Sequence, residues 1–182
     1  MESLKINGKD WKITTFMRDD EREFLLSFLQ KDDVMLEFGC GGSTIEFSQH
    51  VKEYHSIEHS QNWYEQIKKF LENQQNIFMY YIPNDIPRTI EFGPSKYEEF
   101  KTYIQYVNVI NKKFNKVLID GRGRQWCAEE VIPYLDENAI VFIHDFGTDH
   151  LGRDIRKRYN SVLKYYSIIG KVCSLVALKK KK

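Results

Sequence analysis

Short apolar runs that alternate with segments of helical period limit most tightly what this chain can fold into. The runs are Val34–Phe38, Tyr54–Glu58, Ile77–Ile82, Lys116–Ile119 and Ala139–Ile143. A run such as Val141-Phe142-Ile143 has no polar alternation, which suits a strand covered on both faces. Between them lie helical faces: Phe24, Leu25, Phe28 and Leu29 after a start near Asp20, with Glu23 placed for a capping box; Ile45 and Phe47; and Trp63, Ile67, Phe70 and Leu71 after Ser60 as cap. Three more follow: Phe100 to Ile110, Ala128 to Leu135, and Leu151 to Val162. The chain closes with two strands, Tyr165–Ile169 and Val172–Leu178, separated only by Gly170-Lys171. Two residues can join antiparallel strands but not parallel ones. The predicted fold is α/β: a Rossmann-like, doubly wound, seven-stranded and mostly parallel sheet with a C-terminal antiparallel hairpin.

Length and composition agree with one domain. The 182 residues, 42% of them hydrophobic, can fill a single core. We divide them into an N-terminal helical cap (1–33), the sheet core (34–178) and a disordered basic tail (179–182). The segment Pro83–Pro94 reads as a loop. With 27 basic against 26 acidic residues, the chain is not a globally basic nucleic-acid binder. No apolar run approaches the ~18–20 residues that span a membrane. Met1 to Trp11 lacks a signal-peptide pattern, so the cytoplasm is the expected compartment. Cys40, Cys127 and Cys173 are odd in number and form no C-x-x-C pair, which argues against a disulfide framework or structural zinc.

Sheets of this kind bind ligands beyond the carboxyl ends of their strands. The first strand runs into Gly39-Cys40-Gly41-Gly42-Ser43-Thr44, a turn that lets a ligand approach backbone and the start of the next helix. Glu58 ends the second strand 19 residues after Gly39, where a carboxylate can accept ribose hydroxyls. Together they point to a nucleoside-containing cofactor. The dinucleotide fingerprint wants a glycine where this chain has Thr44. Glu37-Phe38-Gly39-Cys40-Gly41-Gly42 instead resembles the first motif of class I S-adenosylmethionine-dependent methyltransferases. That resemblance implies S-adenosylmethionine as cofactor, with Glu37, Gly39, Gly41 and Gly42 around its methionine part and Glu58 at its ribose. Cys40, Ser43, Thr44 and Asp120 extend the cofactor shell.

At the ends of the fourth and fifth strands stand Asp120-Gly121 and His144-Asp145. They allow two chemistries. His144, oriented by Asp145, or Asp145 itself can take a proton from a substrate hydroxyl. Alternatively, Asp120, Asp145 and His144 hold a divalent cation that lowers the hydroxyl's pKa. The region resembles small O-methyltransferases related to catechol O-methyltransferase and to sugar O-methyltransferases. In those an acid stands at the position of His144; imidazole suits Mg²⁺ poorly, so the metal is the less favoured form. Arg122 and Arg124, just beyond Asp120, are candidates to bind an anionic acceptor such as a sugar nucleotide. The reading is therefore an O-methyltransferase for a small molecule, compatible with a homo-oligomer and with no membrane or nucleic-acid partner. Its rivals are a nicotinamide-type oxidoreductase and a non-catalytic cofactor-binding subunit.

Overall fold

The computed structural model describes residues 3–6, 9–12, 15–87, 95–147 and 154–182. Strands β1 (Ser3–Ile6) and β2 (Lys9–Lys12) pair antiparallel, with Ser3 opposite Lys12. The N-terminal cap is therefore not wholly helical, as the sequence suggested: a hairpin precedes helix α1 (Asp19–Leu26). The cap partner of α1 is Glu21 rather than Glu23, and Arg18 N–H donates to Glu21 Oε2 at 3.0 Å.

The chain then alternates β3 (Val34–Phe38), α2 (Gly42–Phe47), β4 (Glu53–Glu58), α3 (Gln61–Phe70) and β5 (Ile77–Tyr81). Residues 83–87 form no regular element; the rest of the expected Pro83–Pro94 loop, from 88, lies outside the described residues. Next come α4 (Lys101–Gln105), α5 (Val107–Ile110), β6 (Phe114–Ile119), α6 (Arg124–Glu130) and β7 (Leu135–Ile143). The single helix expected over Phe100 to Ile110 is thus two short pieces, and Leu135 opens a strand instead of closing a helix. Of the expected Leu151 to Val162 helix, residues 151–153 lie outside the described residues; a 3₁₀ turn at Arg156–Tyr159 precedes α7 (Val162–Tyr165). Strands β8 (Tyr166–Val172) and β9 (Leu175–Lys180) end the fold.

The sheet order is β5-β4-β3-β6-β7-β9-β8. Strands β3 to β7 run parallel, and β9 lies antiparallel between β7 and β8. The predicted fold class is what the structure shows. Both faces are covered, and the strand period of two divides the core accordingly. Leu36, Phe38, Val117, Ile119, Val141 and Ile143 face one hydrophobic layer; Met35, Tyr54, Leu118 and Phe142 face the other.

The closing hairpin departs from expectation in register. Its turn is Cys173-Ser174, not Gly170-Lys171. Gly170 lies inside β8, beside a register shift between Ile168 and Gly170. A Cβ there would come 2.8 Å from the Phe24 ring of α1, so this glycine serves helix-on-strand packing. Lys179 and Lys180 belong to β9, where they pair with Ser167 and Tyr166; neither belongs to a disordered tail.

Candidate active site

The strand order reverses between β3, whose partners are β4 and β6, so a crevice opens at their carboxyl ends. It holds a cleft of about 580 Å³, lined by the turn Gly39–Ser43, Glu58, Asp120 to Trp126, and Asp145. Phe16 and Trp63 stand at one side of its mouth, edge to face with ring centroids 6.1 Å apart.

The glycine turn is held by backbone. Gly39 N–H donates to Ile57 O at 2.8 Å, while Phe38 O accepts from both Asp120 N–H and Gly121 N–H. Gly39 has a φ of +98°, and a Cβ on it would fall 2.8 Å from Gly121 Cα and N. Only glycine fits where the ends of β3 and β6 approach so closely. Gly41 differs: a Cβ there meets nothing nearer than Ser43 Oγ at 3.9 Å, so it would project into the cleft.

Glu37 is not in the cleft. It is fully buried beneath the turn, as is Thr44. The β3–β4 register sets Ser56 beside it, and the hydroxyls of Ser43, Thr44 and Ser56 donate to its carboxyl group at 2.5, 2.5 and 3.2 Å. Gly41 N–H donates to Thr44 Oγ1 at 3.0 Å, which completes a clamp under the turn. Burial pushes the Glu37 pKa up to about 8 against the pull of the Ser43 and Thr44 hydroxyls, so it is a neutral acid at pH 7.

Glu58 lines the cleft with both oxygens already employed. Oε1 accepts from His59 N–H and Ser60 N–H at 2.8 and 2.6 Å, with His59 Nδ1 at 2.9 Å. Oε2 accepts from Cys40 N–H at 2.7 Å, tying β4 to the glycine turn. A carboxylate oxygen offers about two lone-pair sites, so Oε2 retains one. Burial alone would raise this pKa, but His59 and the backbone donors outweigh it and hold Glu58 ionised. Ser60 is the N-cap of α3 without a side-chain cap bond, and its own N–H is one of the donors to Glu58.

The opposite wall is an ion-pair network. Arg124 sends Nε to Gly121 O and Nη2 to Asp120 O, each at 3.0 Å, while Nη1 reaches His144 O. Its guanidinium also lies 3.3 Å from Asp120 Oδ1 and 3.0 Å from Asp145 Oδ2. All three nitrogens therefore pin the ends of β6 and β7 together, and Arg124 also lines the cleft. Arg122 lines the cleft.

His144 sits behind this wall, between two carboxylates. It is 7% exposed, with Nδ1 2.9 Å from Asp120 Oδ1 and Nε2 3.3 Å from Glu21 Oε2. Burial alone would lower its pKa, but the Asp120 and Asp145 carboxylates push it up to about 9. A protonated imidazole whose two nitrogens face carboxylates cannot take a proton near pH 7. Asp145, in contrast, lines the cleft from a left-handed backbone position, φ 52°.

These shifts fix a pH dependence of stability. Folding raises Glu37 from 4.5 to about 8 and His144 from 6.5 to about 9. The native state therefore binds more protons than the unfolded state, and stability falls as pH rises. Both groups contribute between pH 6.5 and 8. Urea unfolding at pH 6.5, 8 and 9 is expected to show a steady decline, with Glu37→Gln shallower than wild type up to pH 8.

No protein-family model and no curated protein matches the sequence. Solved structures do match. A methyltransferase-like protein from Silicibacter pomeroyi aligns with a TM-score of 0.73 at 20% identity, over 93% of this chain and 90% of its own. The fold is that of a methyltransferase. A putative methyltransferase from Streptococcus mutans, solved with S-adenosylhomocysteine, aligns at 0.58 and 13% identity over 92% of this chain and all of its own. Fibrillarin from Aeropyrum pernix, with natively bound S-adenosyl-L-methionine, aligns at 0.63 and 9% identity over 98% and 82%.

Within this methyltransferase fold, sequence reasoning missed Glu21 and Gly121. Glu21 sits in the acidic start Asp19-Asp20-Glu21 of α1, where nothing in the pattern separates an ordinary cap from a buried carboxylate. Gly121 follows Asp120 directly and reads as an ordinary strand end; its service to Gly39 is a contact between strands.

Proposed function

We propose that the protein is an S-adenosylmethionine-dependent methyltransferase that acts on a hydroxyl oxygen of a small molecule, with a sugar or sugar nucleotide as the first acceptor class. One observation carries this reading: the open face of Gly41, the carboxylate of Glu58 and the carboxylate of Asp145 share a single cleft at the switch point of the sheet. In it, Gly39, Cys40, Gly41, Gly42 and Ser43 form the floor under the amino-acid part of the cofactor, and Glu58 Oε2 accepts from the ribose. Glu37 and Thr44 act from below by fixing the turn. When bound, the cofactor supplies a methyl group on a sulfonium sulfur.

The chain's own task is to align the acceptor oxygen and receive its proton. Asp145 is the group placed to do so. Its Oδ2 faces Arg124 and His144, at 3.0 and 3.9 Å, and Oδ1 has no partner among the described residues. Oδ1 is the atom that would receive the proton of the acceptor hydroxyl. Asp120, His144 and Arg124 are positioning residues that fix the end of β7.

Asp120, His144 and Asp145 do offer ligand atoms within 4.8 Å of one another, the spacing of a metal site. The donor chemistry does not fit a cation. His144 would have to lose a proton held by Asp120 and Glu21, and the Arg124 guanidinium lies against both aspartates. No step is therefore routed through a metal.

The test measures S-adenosylhomocysteine release over a panel of sugar phosphates and sugar nucleotides. Asp145→Asn is expected to lower kcat by about 10²–10⁴-fold with cofactor affinity retained. Excess chelator is expected to leave wild-type activity unchanged. Activity lost in chelator and restored by Mg²⁺ or Mn²⁺ would replace this mechanism with the metal one.

A further inference from the structure

We infer that Arg158 binds an oxyanion, a phosphate or carboxylate, on the acceptor. The inference rests on the reading of the cleft as a methyl-transfer site and goes beyond it by naming an acceptor group and the residue that selects it. In sequence, Arg153, Arg156, Lys157 and Arg158 look like one solvated basic cluster, of which Arg153 lies outside the described residues. The structure separates them. Arg156 is paired with Asp154, Nη2 to Oδ2 at 2.6 Å and Nε to Oδ1 at 2.9 Å. Lys157 is exposed and is not part of the cleft lining. Arg158 lines the cleft and has no carboxylate partner among the described residues.

Its position is built. The 3₁₀ turn Arg156–Tyr159 follows the carboxyl end of β7 and is fastened on both sides of Arg158. Ile155 is buried, and its N–H donates to Gly147 O at 3.1 Å. Tyr159 is 2% exposed and stacks on Phe146, with ring centroids 4.5 Å apart. Arg158 N–H donates to Ile155 O at 2.9 Å, closing the turn. The anchored turn fixes the backbone of Arg158 beside the cleft that the residue lines.

Charge accounting gives the sign of the ligand. Asp120 and Asp145 face Arg124 and His144, and Glu58 faces His59 and three backbone N–H groups. The acids of the cleft thus already have donors, whereas Arg158 adds a positive charge at the mouth. Trp126 lines the same cleft, its indole fixed edge to face against Tyr97 at 5.6 Å, and offers an apolar surface for the body that carries the anion. A guanidinium beside an aromatic wall suits a ring bearing a phosphate or carboxylate.

The experiment titrates the protein, with and without saturating S-adenosylhomocysteine, with phenyl phosphate, benzoate and neutral benzyl alcohol, followed by calorimetry. Wild type is expected to bind at least one oxyanion and not the alcohol; the tighter of the two identifies the acceptor group. Arg158→Ala and Arg158→Glu are expected to weaken that binding by about 10- to 100-fold, the scale of a charge-assisted hydrogen bond. Arg158→Lys is expected to lose less, and Arg156→Ala nothing. Cofactor-product affinity and melting temperature stay at wild-type values in every variant. Equal oxyanion affinity in Arg158→Ala and wild type, or no oxyanion binding to wild type at millimolar concentration, would overturn the proposal. Failure of S-adenosylhomocysteine to bind wild type would instead strike the underlying reading, and the oxyanion contrast measured without it would still decide the role of Arg158.

Discussion

Replacing Gly41 by valine is expected to raise the dissociation constant for S-adenosylhomocysteine by about 100-fold or more, beyond the ~2.7 kcal/mol that such a factor represents. The fold should survive the change. Gly41 has an extended backbone, φ 179°, which any residue adopts, and its N–H bond to Thr44 Oγ1 does not depend on the side chain. The added carbons have no protein neighbour closer than 3.9 Å and would enter the volume assigned to the cofactor. Gly39→Ala is the contrasting control. There the φ of +98° and the 2.8 Å approach to Gly121 make the loss one of stability, on the order of 1–3 kcal/mol. Calorimetric titration and a melting curve on both variants separate the two effects. Unchanged affinity in Gly41→Val would mean that the cofactor lies elsewhere.

Glu21→Ala should be the most destabilising single substitution at the site. Glu21 is 1% exposed, and its two oxygens face five donors from three parts of the chain. Oε1 accepts from Ser174 N–H, Ser174 Oγ and Leu175 N–H at 2.8, 2.7 and 3.1 Å. Oε2 accepts from Arg18 N–H at 3.0 Å and faces His144 Nε2 at 3.3 Å. Alanine would leave the donors of the closing hairpin's turn without an acceptor and take one of the two carboxylates from His144, at a cost of about 3–5 kcal/mol. For a chain of this size that corresponds to a fall in melting temperature of roughly 10 °C. Glu21→Gln keeps the shape and should lose less. A melting temperature within about 2 °C of wild type in Glu21→Ala would show that α1 does not hold the hairpin as described.

The layout of the sheet was legible because burial on two faces leaves an unbroken apolar run, and Val34–Phe38 and Ala139–Ile143 carry that mark. Boundaries set by packing were not. Gly170 has the appearance of a turn residue, yet it is glycine because Phe24 lies against it, and Phe24 is far away in sequence. The hairpin at Ser3–Lys12 has no alternation strong enough to read.

In the cleft, the glycines and Glu58 were visible through spacing. The state of the remaining groups was not, because it depends on what faces them. Glu37 carries the motif but works beneath the turn, where burial keeps it neutral. His144 resembles a general base by position and is held as a cation by acids from β6 and α1. Arg122 and Arg124 look equivalent in sequence, and only the structure shows Arg124 drawn into the ends of β6 and β7.

The proposed role of the glycine turn and Glu58 is to hold S-adenosylmethionine. Its most direct measurement is a calorimetric titration of the wild-type chain with S-adenosylhomocysteine and, separately, with NAD. The wild-type chain is expected to show one site for S-adenosylhomocysteine, weakened in Glu58→Ala by about tenfold or more as a hydrogen bond to a charged group is lost, and no heat from NAD. Binding of NAD with none of S-adenosylhomocysteine would contradict it and assign the cleft to a nicotinamide-type cofactor.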